Sequence, residues 1–533
     1  MHSNVHAVEL VFLLLLFFVV AFGALARKLQ TPYPIMLVVG GLLLSFIPGI
    51  PRISLNPDVV FFVILPPLLY SAAWLTSWRE FSHNLISILF LAFGLVTFTV
   101  VGVSYACHWF LPGFDWRMGL VLGAVVAPTD AIAATSIASR IGLPKRIVDV
   151  LEGESLLNDA SALLALEFGI ALLMGEQKTG FISGSGRFVY LTLVGIVVGL
   201  VIGEIVHRVE HRIDDGPIEI ALSILTPYVA YLGAEALHAS GVLAVVVCGL
   251  YLGRKSSHFF SPNVRLQASA VWGALTFILN GLVFVLIGLQ LPYILDAIRD
   301  HSRSELLIYG AAFSMFLIVL RLVWVYPGTH LAYFIRNKVL RQQEPTPTNR
   351  QIFVVGWTGM RGVISLAAAI ALPQTLASGD AFRQRSMIVF LTFSVILVTL
   401  VLQGLTLPPL IRGLRLAGAP ADHPEELEAR RLMLEAALAH LEEENTEEES
   451  KEIANELAGE YRRRLGALEA EEKNESTSLP DLKRFVSLSR ELLGVERKTA
   501  VQLRNQRRIS DEVLRELERE LDLSEERLSA KRT

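Results

Sequence analysis

The chain has 533 residues, of which 53% are hydrophobic and 18% are charged, and its mean hydropathy is +0.50. A soluble domain carries about 25% charged residues, so these values exclude an ordinary soluble protein. The net charge is only −4, and no basic stripe with interleaved aromatic residues is present, which argues against a nucleic-acid partner.

Apolar runs predict an all-α integral membrane protein with the lipid bilayer as a partner. A spanning helix needs roughly 20 apolar residues. About thirteen such runs occur, at 7–26, 33–49, 58–75, 84–111, 118–139, 147–174, 186–208, 217–237, 240–253, 268–295, 305–335, 351–373 and 386–411. The first run has no Lys or Arg before it and is followed by Arg27 and Lys28, which predicts a retained span with its N-terminus outside.

Charge in the loops supports this orientation. The loops predicted to lie inside hold 15 Lys and Arg residues, and those predicted to lie outside hold 8. Cytoplasmic loops collect such residues. We therefore expect a transmembrane domain at residues 1–411, placed in the cell membrane, and a charged helical tail at residues 412–533 in the cytoplasm.

Span five contains an acid next to a proline. Asp130 lies 12 residues into this span, about 18 Å deep in a core about 30 Å thick. Pro128 removes a backbone donor just before it, which predicts a discontinuous helix with free carbonyls at that depth. Broken helices at the midplane are a recurring ion site of secondary transporters.

Span six carries a second acid at the same depth. Asp159 lies 12 residues into this span, and Ser155 shares its helix face four residues earlier. Ionisable residues are costly in the bilayer core, so those present usually line an ion path or form a buried pair. With Thr129, these side chains predict a site made only of oxygen atoms, which suits a hard cation.

A third acid, Glu154, faces another side of span six, and we interpret it as one member of a structural ion pair. Two arginines lie in apolar runs and could neutralise it, Arg321 in span eleven and Arg361 in span twelve. Depth along the helices does not choose between them. Gly359 and Gly362 on either side of Arg361 predict a second interrupted helix.

Several motifs together resemble the monovalent cation/proton antiporter family, which includes NhaP-type bacterial antiporters and sodium/hydrogen exchangers. They are Leu65-Pro66-Pro67-Leu68-Leu69, Ala127-Pro128-Thr129-Asp130, Gly153-Glu154-Ser155-Leu156-Leu157-Asn158-Asp159 and Gly359-Met360-Arg361-Gly362. The resemblance covers roughly residues 7–411. It implies inverted repeats, two discontinuous helices that cross, a homodimer, and alternating access by an elevator-like movement.

Roles for individual residues follow from the same resemblance. It implies Asp159 as the carrier of cation and proton, with Asp130, Ser155 and Thr129 as further ligands of transported Na⁺. Asn158 stands where electrogenic relatives have a second aspartate, which implies electroneutral one-to-one exchange. The family pattern pairs Glu154 with Arg321 and leaves Arg361 as support near the crossing.

One departure concerns span three, where several relatives carry an acid and this chain reads Leu69-Tyr70-Ser71. A carboxylate from span three is therefore absent from the expected site.

The predicted function is secondary active exchange of Na⁺, or also Li⁺, for H⁺, and not an enzymatic reaction. No phosphate-binding loop pattern occurs, and we expect no cofactor beyond the transported ions. The nearest alternative is K⁺/H⁺ exchange on the same scaffold. A cation channel would need a filter of repeated carbonyls or acid rings, and a membrane anchor for the tail would leave the midplane acids unexplained. Regulators of the tail are not predicted.

Overall fold

The computed structural model is helical in both parts of the chain. It describes residues 2–47, 55–175, 181–213, 215–298, 302–342, 345–376, 379–416, 424–444, 451–472, 479–506, 508 and 510–530. The chain divides into two compact units, residues 1–420 and residues 421–533.

The first unit contains sixteen helices within the described ranges. They are α1 (His2–Lys28), α2 (Tyr33–Leu44), α3 (Val59–Leu75), α4 (Trp78–Phe110), α5 (Trp116–Val126), α6 (Ala131–Ile141), α7 (Lys145–Leu173), α8 (Phe181–Glu210), α9 (Gly216–Ala236), α10 (Gly241–Phe259), α11 (Pro262–Leu289), α12 (Leu291–Asp296), α13 (Arg303–Lys338), α14 (Asn349–Trp357), α15 (Val363–Ile370) and α16 (Arg385–Gly413).

Length and composition make this unit a membrane body. In the described part of the chain, eight helical segments are long and apolar enough to cross a bilayer, with α5 and most of α6 counted as one segment, and the shorter apolar helices α2 and α3 accompany them. The predicted class, an all-α integral membrane protein, is confirmed. The count of thirteen spans and the inverted repeats stay predictions.

Two of the predicted spans are interrupted. The fifth consists of α5 and α6, which are separated by residues 127–130, and the twelfth consists of α14 and α15, which are separated by residues 358–362. Pro128 has no N–H for a helical hydrogen bond, and Asp130 has extended backbone angles (φ −98°, ψ 114°) as the N-cap of α6. The prediction of two discontinuous helices is confirmed.

Irregular turns inside other spans are satisfied by neighbouring helices. In α3, a π-helical turn precedes Pro67, which has no N–H to donate to the carbonyl of Val63 one turn earlier. The Tyr228 hydroxyl donates to that carbonyl at 3.0 Å. In the π-helical turn of α4, the Trp324 indole donates to the carbonyl of Phe90 at 3.1 Å. Buried backbone without water needs such partners.

Small residues let α5 lie close against α4. A Cβ atom added at Gly119 would be 2.8 Å from the Cα of Ser104, and one added at Gly123 would be 2.8 Å from the Cα of Val100. The two glycines are four residues apart, so they form one stripe along α5. This contact holds the first half of the interrupted span against a continuous helix.

The second unit consists of helices in its described ranges. They are α17 (Pro424–Glu444), α18 (Lys451–Glu472), α19 (Leu479–Asn505) and α20 (Asp511–Ala530). Arg497 of α19 pairs with Asp522 and Glu525 of α20 at 2.5 and 3.2 Å. These ion pairs are exposed, so they contribute little to stability.

Candidate functional site

The site is centred on the gap between α5 and α6, where Asp130 is held at two points. Its carboxylate oxygen Oδ1 accepts a hydrogen bond from the backbone N–H of Ile132 at 2.8 Å, which caps the first turn of α6. Its own backbone N–H donates to the carbonyl oxygen of Met360 at 2.8 Å. Met360 lies in the gap of the other interrupted span, so the two gaps are in direct contact.

Ser155 of α7 connects this helix to the gap in the fifth span. Its hydroxyl donates to the carbonyl oxygen of Thr129 at 3.0 Å and accepts from the backbone N–H of Ala131 at 3.3 Å. Both backbone groups lost their helical partners where the span is interrupted. Ser155 therefore replaces part of the missing helical hydrogen bonding.

Asp159 lies one turn further along the same face of α7. Its side chain is only 5% exposed. Within the described part of the chain it has no ion pair and accepts no hydrogen bond from another side chain. A buried carboxylate without a partner is costly when charged. This arrangement leaves its oxygens available to a proton or a cation.

Thr129 connects Glu154 with Asn158 away from the cavity. Its hydroxyl donates to Glu154 Oε1 at 3.0 Å and accepts from Asn158 Nδ2 at 2.5 Å. The remaining amide oxygen of Asn158 is buried and has no partner among the described residues. In this structure Asn158 thus supports Thr129 and is not among the side chains that line the cavity described below.

Glu154 forms its ion pair with Arg321 of α13. The two N–H···O distances are 2.5 and 2.9 Å, and both side chains are almost fully buried. The same guanidinium donates to the carbonyl oxygens of Gly356 and Val355 at 3.2 and 3.1 Å, near the C-terminal end of α14. A fork-shaped pair of this kind fixes orientation as well as charge.

Arg361 likewise donates to backbone carbonyls, here in the gap between α5 and α6. Its Nη1 donates to the carbonyl oxygens of Ala127 and Pro128 at 2.7 and 3.3 Å, and its backbone N–H donates to the Thr399 hydroxyl at 3.1 Å. The last carbonyls of a helix lack partners within it. Each arginine therefore satisfies the C-terminal carbonyls of one half-helix, Arg321 those of α14 and Arg361 those that follow α5.

A cavity of about 190 Å³ lies beside the gap. Of the predicted site residues, four line it and four do not: Asp130, Asp159, Ser155 and Thr129 are on its wall, whereas Glu154, Asn158, Arg321 and Arg361 stand behind it. No Lys or Arg is among the described residues of the wall. The cavity therefore offers oxygen ligands to a small cation or to a proton, including the three carboxylates of Asp130, Glu152 and Asp159.

Four polar residues of the cavity wall were given no role by the sequence analysis: Thr135, Glu152, Asn280 and Ser365. Glu152 lies one turn before Ser155 on the same face of α7, Ser365 lies in the first turn of α15, and Asn280 lies in α11. The Ser365 hydroxyl is buried and has no partner among the described residues. A lone amide in the apolar run around Asn280 was the one signal in the sequence that could have identified that residue.

Comparison with solved structures supports the same architecture. The chain matches the sodium proton antiporter MjNhaP1 of Methanocaldococcus jannaschii, solved at pH 8, with a TM-score of 0.58 at 18% identity. The match covers 78% of this chain and all of that one. The two chains therefore share a fold.

Sequence comparison gives the family. The model of the transmembrane sodium/hydrogen exchanger family matches residues 13–413. An uncharacterised Na⁺/H⁺ exchanger of Mycobacterium tuberculosis is 37% identical over 520 residues, covering 96% of this chain and 94% of the relative. The Na⁺/H⁺ antiporter ApNhaP of Aphanothece halophytica is 34% identical over 415 residues, covering 77% of this chain and 75% of the relative. This chain belongs to the sodium/hydrogen exchanger family, whose members exchange cations for protons.

Proposed function

We propose that the chain exchanges Na⁺ for H⁺, one for one, by competition at Asp159. The deprotonated carboxylate binds the cation, protonation displaces it, and only the occupied carrier changes the side to which the site is open. Asp130, Ser155 and Thr129 supply the further oxygen ligands. The ion gradients drive the cycle.

The observation that carries this proposal is the position of Asp159 on the cavity wall without a partner for its carboxylate. The buried arginines Arg321 and Arg361 are engaged elsewhere, Arg321 by Glu154 and Arg361 by the carbonyls after α5. Neither neutralises Asp159 in this structure. A cation or a proton is then the group that compensates its charge.

One-to-one exchange is supported by the difference between Asp130 and Asp159, two of the three acids on the cavity wall. Asp130 is tied to the backbone N–H of Ile132, which favours one fixed state of its carboxylate. Asn158, next to Asp159 in sequence, is neutral. One carboxylate that binds a cation and a proton in turn moves no net charge in a full cycle.

K⁺/H⁺ exchange on the same scaffold is the alternative. It is favoured by a relative from Bacillus pumilus, named as a sodium, potassium, lithium and rubidium/H⁺ antiporter, which is 33% identical over 454 residues. The match covers 83% of this chain and 66% of that one. The cavity of about 190 Å³ is also large enough for a cation with some of its water.

We further propose that the protein acts as a homodimer in the cell membrane, with its N-terminus outside and residues 412–533 in the cytoplasm. The support for the orientation is the excess of Lys and Arg in the loops assigned to the inside. Long rows of exposed apolar side chains, such as Leu193, Val197 and Val201 on α8, suit a surface covered by lipid or by a second copy.

The decisive test is proton movement in everted membrane vesicles from cells that lack their own exchangers. After respiration has acidified the vesicles, Na⁺, Li⁺ and K⁺ are added in turn and the collapse of the pH gradient is followed. We expect a response to Na⁺ at low millimolar concentration or below, and none in vesicles with Asp159→Asn. A response to K⁺ alone would favour the alternative, and no response to any of the three cations would contradict the proposal.

A further inference from the structure

The cavity has two unlike walls. One comes from α6, α7 and α15 with the residues before them, and it carries the carboxylates and hydroxyls already described. The other comes from α3 and α11. Its described side chains are apolar, such as Leu69, Ala72 and Phe284, with one exception, the amide of Asn280. Asn280 is thus the one polar side chain that the α3 and α11 wall presents to the ion site.

Asn280 is unusual for its position. It is only 7% exposed and stands in the middle of α11, between Leu279 and Gly281 in an apolar run. An amide buried in such surroundings is costly unless its groups have partners. Asn280 lies on the cavity wall, where its amide can reach polar partners. This position explains why α11 can carry an amide within an apolar run.

Tyr33, the first residue of α2, holds one end of that amide. The side chains of Tyr33 and Asn280 lie close enough to share a hydrogen bond. The Tyr33 ring packs against Phe277, one turn before Asn280, with 5.9 Å between the ring centroids. Tyr33 therefore lies beside the part of α11 that carries Asn280.

Close contact between α2 and α11 fixes the position of Tyr33 relative to Asn280. A Cβ atom added at Gly41 of α2 would overlap the backbone of Val285, and one added at Gly288 of α11 would overlap the backbone of Val38. Both glycines permit backbone-to-backbone contact that a larger residue would prevent. Asn280 is therefore presented to the cavity by a rigid pair of helices.

We propose that Asn280 is a specificity-determining ligand, whose amide oxygen coordinates the transported cation from the wall opposite Asp159. An amide has a donor end and an acceptor end. When its NH₂ group donates to the Tyr33 hydroxyl, the carbonyl oxygen is left to the cavity. Ser71 of α3 is buried and does not line the cavity. The oxygen on this wall thus comes from α11 and is neutral.

This inference rests on the proposed function and specifies which residue sets the preference among cations. A neutral oxygen attracts a small cation less strongly than a carboxylate would. Replacing Asn280 should therefore change the ratio of affinities for Na⁺, Li⁺ and K⁺. A purely structural role would change transport of all three by the same factor.

The test compares three variants in proteoliposomes: Asn280→Ala, Tyr33→Phe and, as a matched control, Thr276→Val. Thr276 lies one turn before Asn280 on α11, and its hydroxyl donates to the Trp272 carbonyl of its own helix. We expect Asn280→Ala to raise the apparent KM for the preferred cation about tenfold and to alter the Na⁺ to K⁺ ratio. Tyr33→Phe keeps the ring contact and should shift the ratio in the same direction by less, and Thr276→Val should leave it unchanged.

A KM unchanged for every cation in Asn280→Ala, or raised by one common factor, would overturn the inference. If that variant does not transport, cation-dependent stabilisation of the purified protein gives the answer. Wild type should gain thermal stability with the preferred cation, and Asn280→Ala should lose that gain. Full stabilisation in the variant would again contradict the role of Asn280. A wild-type protein that exchanges no cation for protons contradicts the proposed function instead, and the stabilisation measurement still tests Asn280.

Discussion

Gly362 and Asp130 touch with no space between them. A Cβ atom added at Gly362 would lie 2.6 Å from Oδ2 of Asp130 and 2.7 Å from its Cβ. Non-bonded atoms do not approach so closely. Asp130 of the fifth span can therefore occupy its position only because residue 362 in the twelfth span is a glycine. The two gaps are thus fitted to each other at the position where the cation is expected to bind.

Gly362→Ala should therefore lower exchange by about tenfold or more, because overpacking costs about 1–3 kcal/mol and moves the Asp130 carboxylate. Gly273→Ala on α11 is the matched control, since a Cβ there meets no atom within 4 Å. Both variants are compared by cation-dependent proton flux in proteoliposomes at equal protein content. Equal rates in the two variants would show that the contact at Asp130 does not matter.

Asp159→Asn should abolish exchange and leave membrane insertion and dimerisation intact. The replacement removes the one group at which cation and proton are proposed to compete. Proton flux is measured in vesicles with verified protein levels, with Glu167→Gln, an exposed carboxylate on the same helix, as the control. Flux at the wild-type rate in Asp159→Asn would rule out the mechanism. Asp130→Asn should also be severe, with weak activity left by its neutral oxygen.

Glu154→Ala should reduce stability more than cation affinity. Removal of one member of a buried ion pair leaves the other charge uncompensated, at a cost of about 3–5 kcal/mol. Arg321→Ala should have a similar effect, and the double variant should lose less than the sum of the two. Thermal unfolding in detergent gives the comparison. Additive losses would mean that the pair contributes no coupling energy.

Exchange should be insensitive to the membrane potential. With Asp159 as the one titrating carboxylate, a full cycle moves no net charge, so a potential clamped with valinomycin in proteoliposomes should leave the rate unchanged. Wild-type exchange that generates a potential, or responds strongly to one, would mean that Asp130 also titrates. Arg187→Gln on α8, which removes an exposed charge paired with Glu167, serves as the control for nonspecific surface effects.

Much of this molecule could be predicted from sequence because the bilayer restricts what a chain can do. Long apolar runs predict helices that span the bilayer. Pro128 lacks a backbone N–H, and Gly359 and Gly362 lack side chains. These features affect the helix where they occur, so the sequence itself marks the interruptions. Counting residues also gives a prediction of the depth of Asp130 and Asp159 in the bilayer. A helix rises by a fixed amount per residue, so depth follows directly from the sequence.

Only the tertiary structure shows which side chains from different helices come into contact. Sequence alone left both Arg321 and Arg361 as partners of Glu154, because two residues at one depth can lie on opposite sides of a bundle. The packed helices bring Arg321 to Glu154 and Arg361 to the carbonyl of Ala127. The same lateral arrangement turns Asn158 toward Thr129 and brings Asn280, more than a hundred residues away in sequence, to the same cavity as Asp159.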